Sequence, residues 1–196
     1  MRRSAMKYAA RARSTVRAAL LLLLALLSAA CAGQRPRAAV ELPPLRLSPA
    51  SLPGPLALQQ QLHFRFGRVE RDMDALLEAD AGQVQLVVQA MGQTGFRVQW
   101  DGQRLQEQRA PWLPRQVRAG RVLDDLQFAL WPTAAIAAVL PAGWQVDDDG
   151  QLRRLHHNGQ DALRLRRDAD GTLELDNLAE GYSLQIRSAI PEPSFP

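Results

Sequence analysis

Cysteine is almost absent from this sequence: Cys31 is the single one among 196 residues. One thiol excludes a framework of intramolecular disulfides and a zinc site built from several cysteines. The chain also lacks the catalytic signatures G-x-S-x-G and H-E-x-x-H and the phosphate-binding loop. We therefore predict a protein that is not an enzyme and that carries no cofactor and no metal.

An excess of positive charge is missing outside the N-terminus. Six of the 24 lysines and arginines lie in the first 17 residues, which contain no acidic residue. The other 18 are all arginine and face 20 acidic residues, so the rest of the chain is mildly acidic. Because a surface that binds nucleic acid needs an excess of positive charge, no nucleic-acid partner is predicted.

Residues 1–30 have the organisation of an export signal. A basic stretch precedes thirteen uncharged, almost wholly apolar residues, Ala18 to Ala30. A helix that crosses a bilayer needs about 20 apolar residues, so this run is too short for a stable span. Basic, apolar and small residues in this order are typical of a secretory signal peptide, which begins here at Met1 or at Met6.

Cys31 follows the small residues Ser28, Ala29 and Ala30, and this arrangement resembles the lipobox of bacterial lipoproteins. The resemblance implies that Cys31 is lipidated, with palmitate among its acyl chains, and becomes the new N-terminus. Ala32 in the next position implies a lipid-anchored protein on the periplasm-facing side of the outer membrane. Cleavage after Ala30 or Ala32 is the alternative, and it would release a soluble periplasmic protein.

Two segments lack the periodicity of regular structure. Residues 31–55 contain six prolines and predict a stiff, extended tether behind the lipidated N-terminus. Residues 191–196 contain three prolines and predict a disordered tail. Between them, residues 56–190 form one predicted domain.

The predicted domain is mostly β. Apolar residues alternate with polar ones over most of its length, which is typical of antiparallel strands with one dry face. Asp-Gly, Asn-Gly and Glu-Gly pairs separate the runs, as expected for hairpin turns. For residues 68–80 a helix is the alternative, and we favour a strand. The sequence then gives about ten strands.

Two short helices interrupt this pattern. Val122, Leu126 and Leu130 recur at helical spacing before Pro132, and an alanine-rich second helix is predicted from Thr133, as its N-cap, to about residue 140. Asp124 and Asp125 of the first helix are expected to form surface ion pairs with neighbouring arginines. A role for these charges in gating the barrel mouth is the alternative.

The proportion of strands to helices predicts a curved sheet. Ten strands about 4.8 Å apart make a sheet roughly 48 Å wide, and two helices about 10 Å across cover less than half of it. Such an apolar face must curl on itself or leave a cavity under the helices. We therefore predict a concave ligand-binding face closed by Leu126 and Trp131, with the following lining residues: Leu62, Phe64, Leu86, Val88, Phe96, Val98, Trp100, Leu184 and Ile186.

Four motifs resemble those of a known family: Leu76-Leu-Glu-Ala-Asp80, Trp100-Asp-Gly102, Asp125-Leu-Gln-Phe-Ala-Leu-Trp-Pro132 and Gly181-Tyr-Ser-Leu-Gln-Ile-Arg187. Through them the chain resembles an uncharacterised family of bacterial lipoproteins, a domain of unknown function similar to the LolA/LolB outer-membrane lipoprotein carriers and receptors. The resemblance implies a curved, unclosed antiparallel barrel capped by helices, with an apolar interior that accepts acyl chains. It also implies that the gene for this protein occurs together with genes whose products make aryl polyene pigments.

Two functions are expected from these features. The first is an outer-membrane lipoprotein that binds or transfers a lipid, acyl or aryl-polyene chain without covalent chemistry. Envelope or lipoprotein-sorting proteins are its expected further partners. The alternative is a periplasm-facing docking lipoprotein of an envelope assembly, with a fully packed barrel.

The predicted lipid anchor is tested by Cys31→Ser. We expect this change to abolish incorporation of labelled palmitate and to release the protein from the outer-membrane fraction, because several acyl chains are needed for stable anchoring. Unchanged palmitate labelling and membrane association would contradict the lipobox interpretation.

Overall fold

Alternating apolar and polar residues produce a fold that is mostly β, as predicted from the sequence. The computed structural model describes residues 40–113 and 117–189. The export signal, Cys31 and the tail at 191–196 lie outside the described residues. The strands are β1 (Leu56–Phe66), β2 (Val69–Ala79), β3 (Val84–Ala90), β4 (Gln93–Trp100), β5 (Leu105–Arg109), β6 (Trp144–Asp148), β7 (Leu152–His157), β8 (Gln160–Arg167), β9 (Leu173–Asn177) and β10 (Tyr182–Ser188).

The ten strands form one antiparallel sheet in the order β5-β4-β3-β2-β1-β10-β9-β8-β7-β6. Each half is a meander of neighbouring hairpins, and the pairing of β1 with β10 joins the halves in the middle. Within the described residues β5 and β6 each have a single neighbour, so the sheet is unclosed, as predicted. The hairpin signals work as expected: Asn158 and Gly159 both have positive φ, 50° and 77°, as a tight two-residue turn requires.

Pairing registers place the predicted apolar residues on one face. Leu62 of β1 lies opposite Met73 of β2 and Ile186 of β10. Residues that face each other across antiparallel strands point to the same side of the sheet. We call this side the inner face, since the helices cover it.

Residues 68–80 contain a strand, β2, and not the alternative helix. Its alternation decides the matter, because Ala75 and Leu77 are buried on the inner face while Asp72 and Asp74 are exposed on the outer face. A helix would have turned acidic residues toward the core at the same positions. The strand lets every second residue remain in water.

Two helices connect β5 to β6: α1 (Ala119–Leu130) and α2 (Thr133–Val139). Pro132 ends α1 as predicted and itself precedes α2 as its N-cap. The prediction that Thr133 is the N-cap is therefore wrong by one position. Thr133 is the first helical residue, and its hydroxyl donates a hydrogen bond to Oδ2 of Asp148, 3.2 Å away.

The tether predicted over residues 31–55 requires a correction for residues 40–52. This stretch, which we call the strap, runs along α1 and ends after a 3-10 helix at Pro49–Ser51. Leu42, Leu45 and Leu47 are 4%, 4% and 2% exposed, and they belong to the same core as the inner face. An apolar side chain at every second or third position allows an extended segment to bury itself, which a solvated tether cannot do.

Truncation in β2 tests this architecture, because the strand carries a matched pair of leucines. Leu77→Ala removes a side chain that is 0% exposed, and we expect a loss of about 2–5 kcal/mol in the free energy of unfolding. Leu76→Ala removes the same atoms from a side chain that is 49% exposed, and we expect a change within about 0.5 kcal/mol. Denaturant unfolding measures both, and equal effects would contradict the assignment of the inner face.

Candidate functional site

The inner face brings most of the predicted ligand-binding residues together. Eight of the eleven are buried: Leu86, Val88, Phe96, Val98, Trp100, Leu126, Trp131 and Ile186. All of them except Ile186 belong to one apolar core. They come from β3, β4, β10 and the helical connection, so the fold assembles residues that are up to 100 positions apart. Trp131 directly follows α1 and is 0% exposed. Their role in ligand binding stays a prediction.

Three predicted residues lie toward the edge of this core. Leu62 and Leu184 are half-buried and pack against it. Phe64 lies at the end of β1, where its ring stacks at a tilt against Tyr182 with centroids 5.5 Å apart. The apolar face therefore thins out where β1 and β10 meet the β1–β2 turn.

The strap occupies the space over the inner face. Its leucines share one core with the sheet and with Leu123 and Phe128 of α1, both of which are 0% exposed. The strap therefore covers part of the sheet together with the two short helices. The predicted width of the cover counted the helices alone. Leu42, Leu45 and Leu47 of the strap thus form part of the interior.

Gln127 of α1 holds the strap in place. Its side-chain oxygen accepts a hydrogen bond from the Leu47 amide at 3.0 Å, and its side-chain nitrogen donates one to the Leu47 carbonyl at 2.9 Å. The Leu47 carbonyl also accepts a bond from the indole nitrogen of Trp100, and Ser48 accepts one from that of Trp131. A buried backbone group without a partner costs about 1–3 kcal/mol, so these side chains make the buried strap possible.

Asp124 anchors the strap one turn earlier. Its Oδ1 accepts hydrogen bonds from the Leu45 amide at 3.1 Å and from the Arg46 guanidinium at 3.2 Å. Asp124 forms the expected ion pair with a neighbouring arginine, Arg121, at 3.7 Å. Because Asp124 is 3% exposed, the expectation that this pair lies on the surface is wrong. Burial raises the pKa of Asp124 above its usual value, and the charges of Arg46 and Arg121 offset part of that rise.

Asp125 is also buried, at 7% exposure, so its expected position on the surface is likewise wrong. Its Oδ2 accepts a hydrogen bond from the hydroxyl of Tyr182, while Oδ1 has no hydrogen-bond partner. Burial raises the pKa of Asp125 to about 7, against the lowering effects of Tyr182 and of Arg121. Glu180, which pairs with Arg121 across 3.1 Å, adds to the negative field at this carboxyl.

A second charged cluster fixes the opposite end of α1. Arg153 donates to the carbonyls of Phe128 and Trp131 at 2.6 and 2.8 Å, which are among the unpaired carbonyls at a helix end. Its Nε also donates to Oδ2 of Asp148 at 2.6 Å. Arg153 and Arg167 together hold the pKa of Asp148 at about 2, although its partial burial acts in the opposite direction.

Two surface grooves lie outside the core. One, of about 320 Å³, is lined on the outer face by polar groups of β1, β2 and β10, including His63 and Asp72, whose Nδ1 and Oδ1 are 2.7 Å apart. The other, of about 490 Å³, adjoins the β1–β2 and β9–β10 turns. Among the described residues no three or more His, Asp or Glu side chains are placed to bind a metal ion.

The described helices have a further property that bears on membranes. Neither α1 nor α2 combines the length and the apolar character that crossing a bilayer requires.

Sequence reasoning missed the strap and the burial of its anchors. The signal for the strap was present, since Leu42, Leu45 and Leu47 recur at every second or third position among prolines. The signal for the anchors was Gln127, a polar residue on the apolar side of a predicted helix. Neither signal identifies a buried strap until it is known that the helices alone do not shield the inner face from water.

Comparison with known families gives one match. The model of a family described as protein of unknown function, DUF3261, matches residues 57–189. Among curated proteins, none matches the chain.

Asp125→Asn tests the electrostatics of the site. A carboxyl with a raised pKa binds its proton more tightly in the folded than in the unfolded protein, so stability falls as the pH rises from about 4 to about 7. We expect the wild type to lose up to about 1.4 kcal/mol per pH unit in this window relative to Asp125→Asn. The measurement is urea unfolding at several pH values between 4 and 8.

The matched control for this change is Asp74→Asn, since Asp74 is exposed on the outer face of β2. We expect its stability to follow the wild type at every pH. Parallel curves for the wild type and Asp125→Asn would contradict a buried, protonated Asp125.

Proposed function

This chain belongs to the DUF3261 family of proteins of unknown function, and we propose that it is an outer-membrane lipoprotein that binds a lipid, acyl or aryl-polyene chain. The anchor is Cys31, the protein faces the periplasm, and the ligand lies on the inner face without covalent chemistry. The observation that carries the proposal is the strap, an extended segment that buries three leucines over an otherwise open apolar sheet.

The strap has the shape of a linear apolar ligand. It runs along α1, and its side chains Leu42, Leu45 and Leu47 enter the apolar interior. An acyl chain is similarly narrow and extended, and it carries no backbone amides that need partners. Exchange of the strap for an acyl chain would therefore keep the inner face covered.

Magnitudes favour this exchange. Burying three leucine side chains contributes roughly 5–9 kcal/mol, and an acyl chain of about fifteen methylene groups contributes about 12 kcal/mol at about 0.8 kcal/mol each. The acyl chain must also offset the hydrogen bonds that Gln127 and Asp124 make to the strap, each with a net contribution of about 1 kcal/mol. The two sides are close enough for competition, so ligand binding and strap binding are coupled.

The proposed likeness to LolA/LolB lipoprotein carriers and receptors points the same way. Their resemblance implies an unclosed antiparallel barrel with an apolar interior and a helical cover. Ten antiparallel strands in one unclosed sheet, with two helices between β5 and β6, agree with that architecture. Under this proposal, envelope or lipoprotein-sorting proteins are the partners that deliver or receive the ligand.

A specific observation favours a second candidate, a periplasm-facing docking lipoprotein with a permanently packed barrel. Leu77, Leu123, Phe128, Trp131 and Leu165 are all 0% exposed with the strap in place. If the strap never leaves, the inner face serves stability alone, and function resides on the outer surface.

Acyl-chain binding by strap variants separates the two candidates. Leu45→Ala removes a buried strap side chain that is not part of the proposed binding face. We expect lipid-stripped, folded Leu45→Ala to bind a fluorescent fatty acid more tightly than the wild type, by at least tenfold, because the competing strap loses roughly 2 kcal/mol. Fluorescence titration at micromolar protein measures the affinity.

Two further variants control this experiment. Ser48→Ala changes an exposed strap side chain that makes no capping hydrogen bond, and it should leave the affinity unchanged. Val98→Gln puts an amide into the inner face and should weaken binding while the unfolding transition is retained. If neither the wild type nor Leu45→Ala binds an acyl chain while both remain folded, the docking function replaces the lipid-binding one.

A further inference from the structure

The strand ends of an antiparallel sheet lie along two opposite rims, and in this protein the rims differ in chemistry. The first rim contains the β1–β2, β3–β4, β7–β8 and β9–β10 turns and the segment 110–113 after β5. The second contains the β2–β3, β4–β5, β6–β7 and β8–β9 turns. We call them the apolar rim and the acidic rim.

Large hydrophobic side chains are exposed along the apolar rim. The described part of the chain has seven such side chains, and five of them lie here: Phe66, Val69, Met91, Trp112 and Leu178. Phe66 and Val69 face each other across the β1–β2 turn, and Phe66 also faces Tyr182 at the start of β10. Met91, at the tip of the β3–β4 turn, is 89% exposed. Apolar side chains gathered at one end of a soluble fold are typical of an interaction surface.

Charge distinguishes the two rims further. The β1–β2 hairpin tip carries Arg65, Arg68 and Arg71 against one carboxylate, Glu70. Glu180, on the neighbouring β9–β10 turn, is engaged by Arg118 at 2.7 Å and by Arg121. The rim therefore presents arginines beside exposed apolar side chains.

The acidic rim has the opposite character. Its four turns, 80–83, 101–104, 149–151 and 168–172, contain five aspartates and one arginine. Four of these aspartates, Asp80, Asp101, Asp149 and Asp170, accept hydrogen bonds from backbone amides within their own turns. Those bonds hold the pKa of Asp101, Asp149 and Asp170 below the usual value, so the turns themselves carry negative charge. The fifth aspartate, Asp168, is paired with Arg166 at 3.1 Å.

The chain also enters the fold at the apolar rim. The guanidinium of Arg121, which pairs with Glu180 of the β9–β10 turn, donates to the carbonyl of Leu42 near the start of the strap. Cys31 precedes Val40 by nine residues, and nine extended residues reach at most about 30 Å. Crossing the sheet along the 11 residues of β1 would take about 35 Å more. A lipid anchor on Cys31 therefore keeps the apolar rim, and not the acidic rim, near the bilayer.

We propose that the apolar rim lies on an anionic lipid surface, with Phe66, Met91 and Trp112 in the headgroup region and Arg68 and Arg71 on lipid phosphates. The inference rests on the proposed anchor at Cys31 and goes beyond it, since it orients the domain on the membrane. Tryptophan is favoured at the interface between lipid and water, and arginines are attracted to anionic headgroups. The turn aspartates of the acidic rim are repelled from the same surface, and we infer that this rim points away from it. In this orientation the entry of the strap, and with it the inner face, lies next to the lipids.

The orientation is measured on the full, acylated chain in vesicles of mixed phosphatidylglycerol and phosphatidylcholine. Met91→Cys on the apolar rim and Gln103→Cys on the acidic rim are each labelled with nitrobenzoxadiazole, since both positions are exposed. The unsubstituted protein, labelled in parallel, corrects for any reaction at Cys31. We expect the label at position 91 to shift to shorter wavelength and to be quenched several-fold more strongly by spin-labelled lipid than the label at position 103.

The arginines are tested in the same assay. Arg68→Gln and Arg71→Gln should each reduce the fraction of shielded label at position 91, by about fivefold in the contact equilibrium per arginine. On vesicles of phosphatidylcholine alone, the labelled Met91→Cys protein with both arginines intact should also show a reduced fraction of shielded label. Equal quenching at both positions, stronger quenching at position 103, or shielding of position 91 before vesicles are added would overturn the proposal, the last by indicating a protein contact such as a second copy.

Failure of this proposal is distinct from failure of the proposed function. The labels lie on turns and not on the inner face, so a protein that binds no acyl chain can still place the apolar rim on lipid. Conversely, a protein that stays on the vesicles with position 91 unshielded keeps its anchor and refutes the orientation alone.

Discussion

A wide antiparallel sheet with one apolar face has to be covered, and this requirement explains most of the structure. Two helices of 12 and 7 residues are the regular elements available for the purpose. The strap, residues 40–52, supplies the rest of the cover by laying three leucines over the sheet. Because the strap is extended and buried, its backbone amides and carbonyls need partners that no strand provides. Gln127 meets this need with one side chain that both donates to and accepts from Leu47.

Charged residues position the cover from both ends. Asp124 and Arg121 connect α1 to the beginning of the strap, and Arg153 connects the end of α1 to β6 through Asp148. Such buried pairs contribute less to stability than their number suggests, because desolvation offsets much of the attraction. Their effect is on geometry, since α1 and the strap can lie side by side in only the register that pairs these groups. Under the proposed function, an acyl chain that replaced the strap would have to displace these same contacts.

The entry of the strap into the interior and the apolar rim lie at the same end of the sheet. The strap begins at the end of the sheet where Phe66, Met91 and Trp112 are exposed, and Asp125 with its raised pKa lies near the same end. A lipid that reached the inner face from a bilayer would pass these groups first. The proposed ligand and the proposed orientation are thus consistent with each other, although separate experiments test them.

The sequence by itself determined the strands, their hairpin order and the face that each buries. Alternation in β2 placed Leu77 inside and Asp74 outside, and the Asn158-Gly159 turn required no tertiary information, because both signals come from neighbours in the chain. The residues of the inner face were predictable for the same reason. The strap and the burial of Asp124 and Asp125 were decided only by the tertiary structure. A proline-rich segment is equally suited to a tether and to a strap, and a carboxylate on a helix is equally suited to water and to a buried partner 79 residues away. Local sequence cannot distinguish these cases, because the free energy that separates them comes from covering an apolar sheet that exists only when all ten strands have paired.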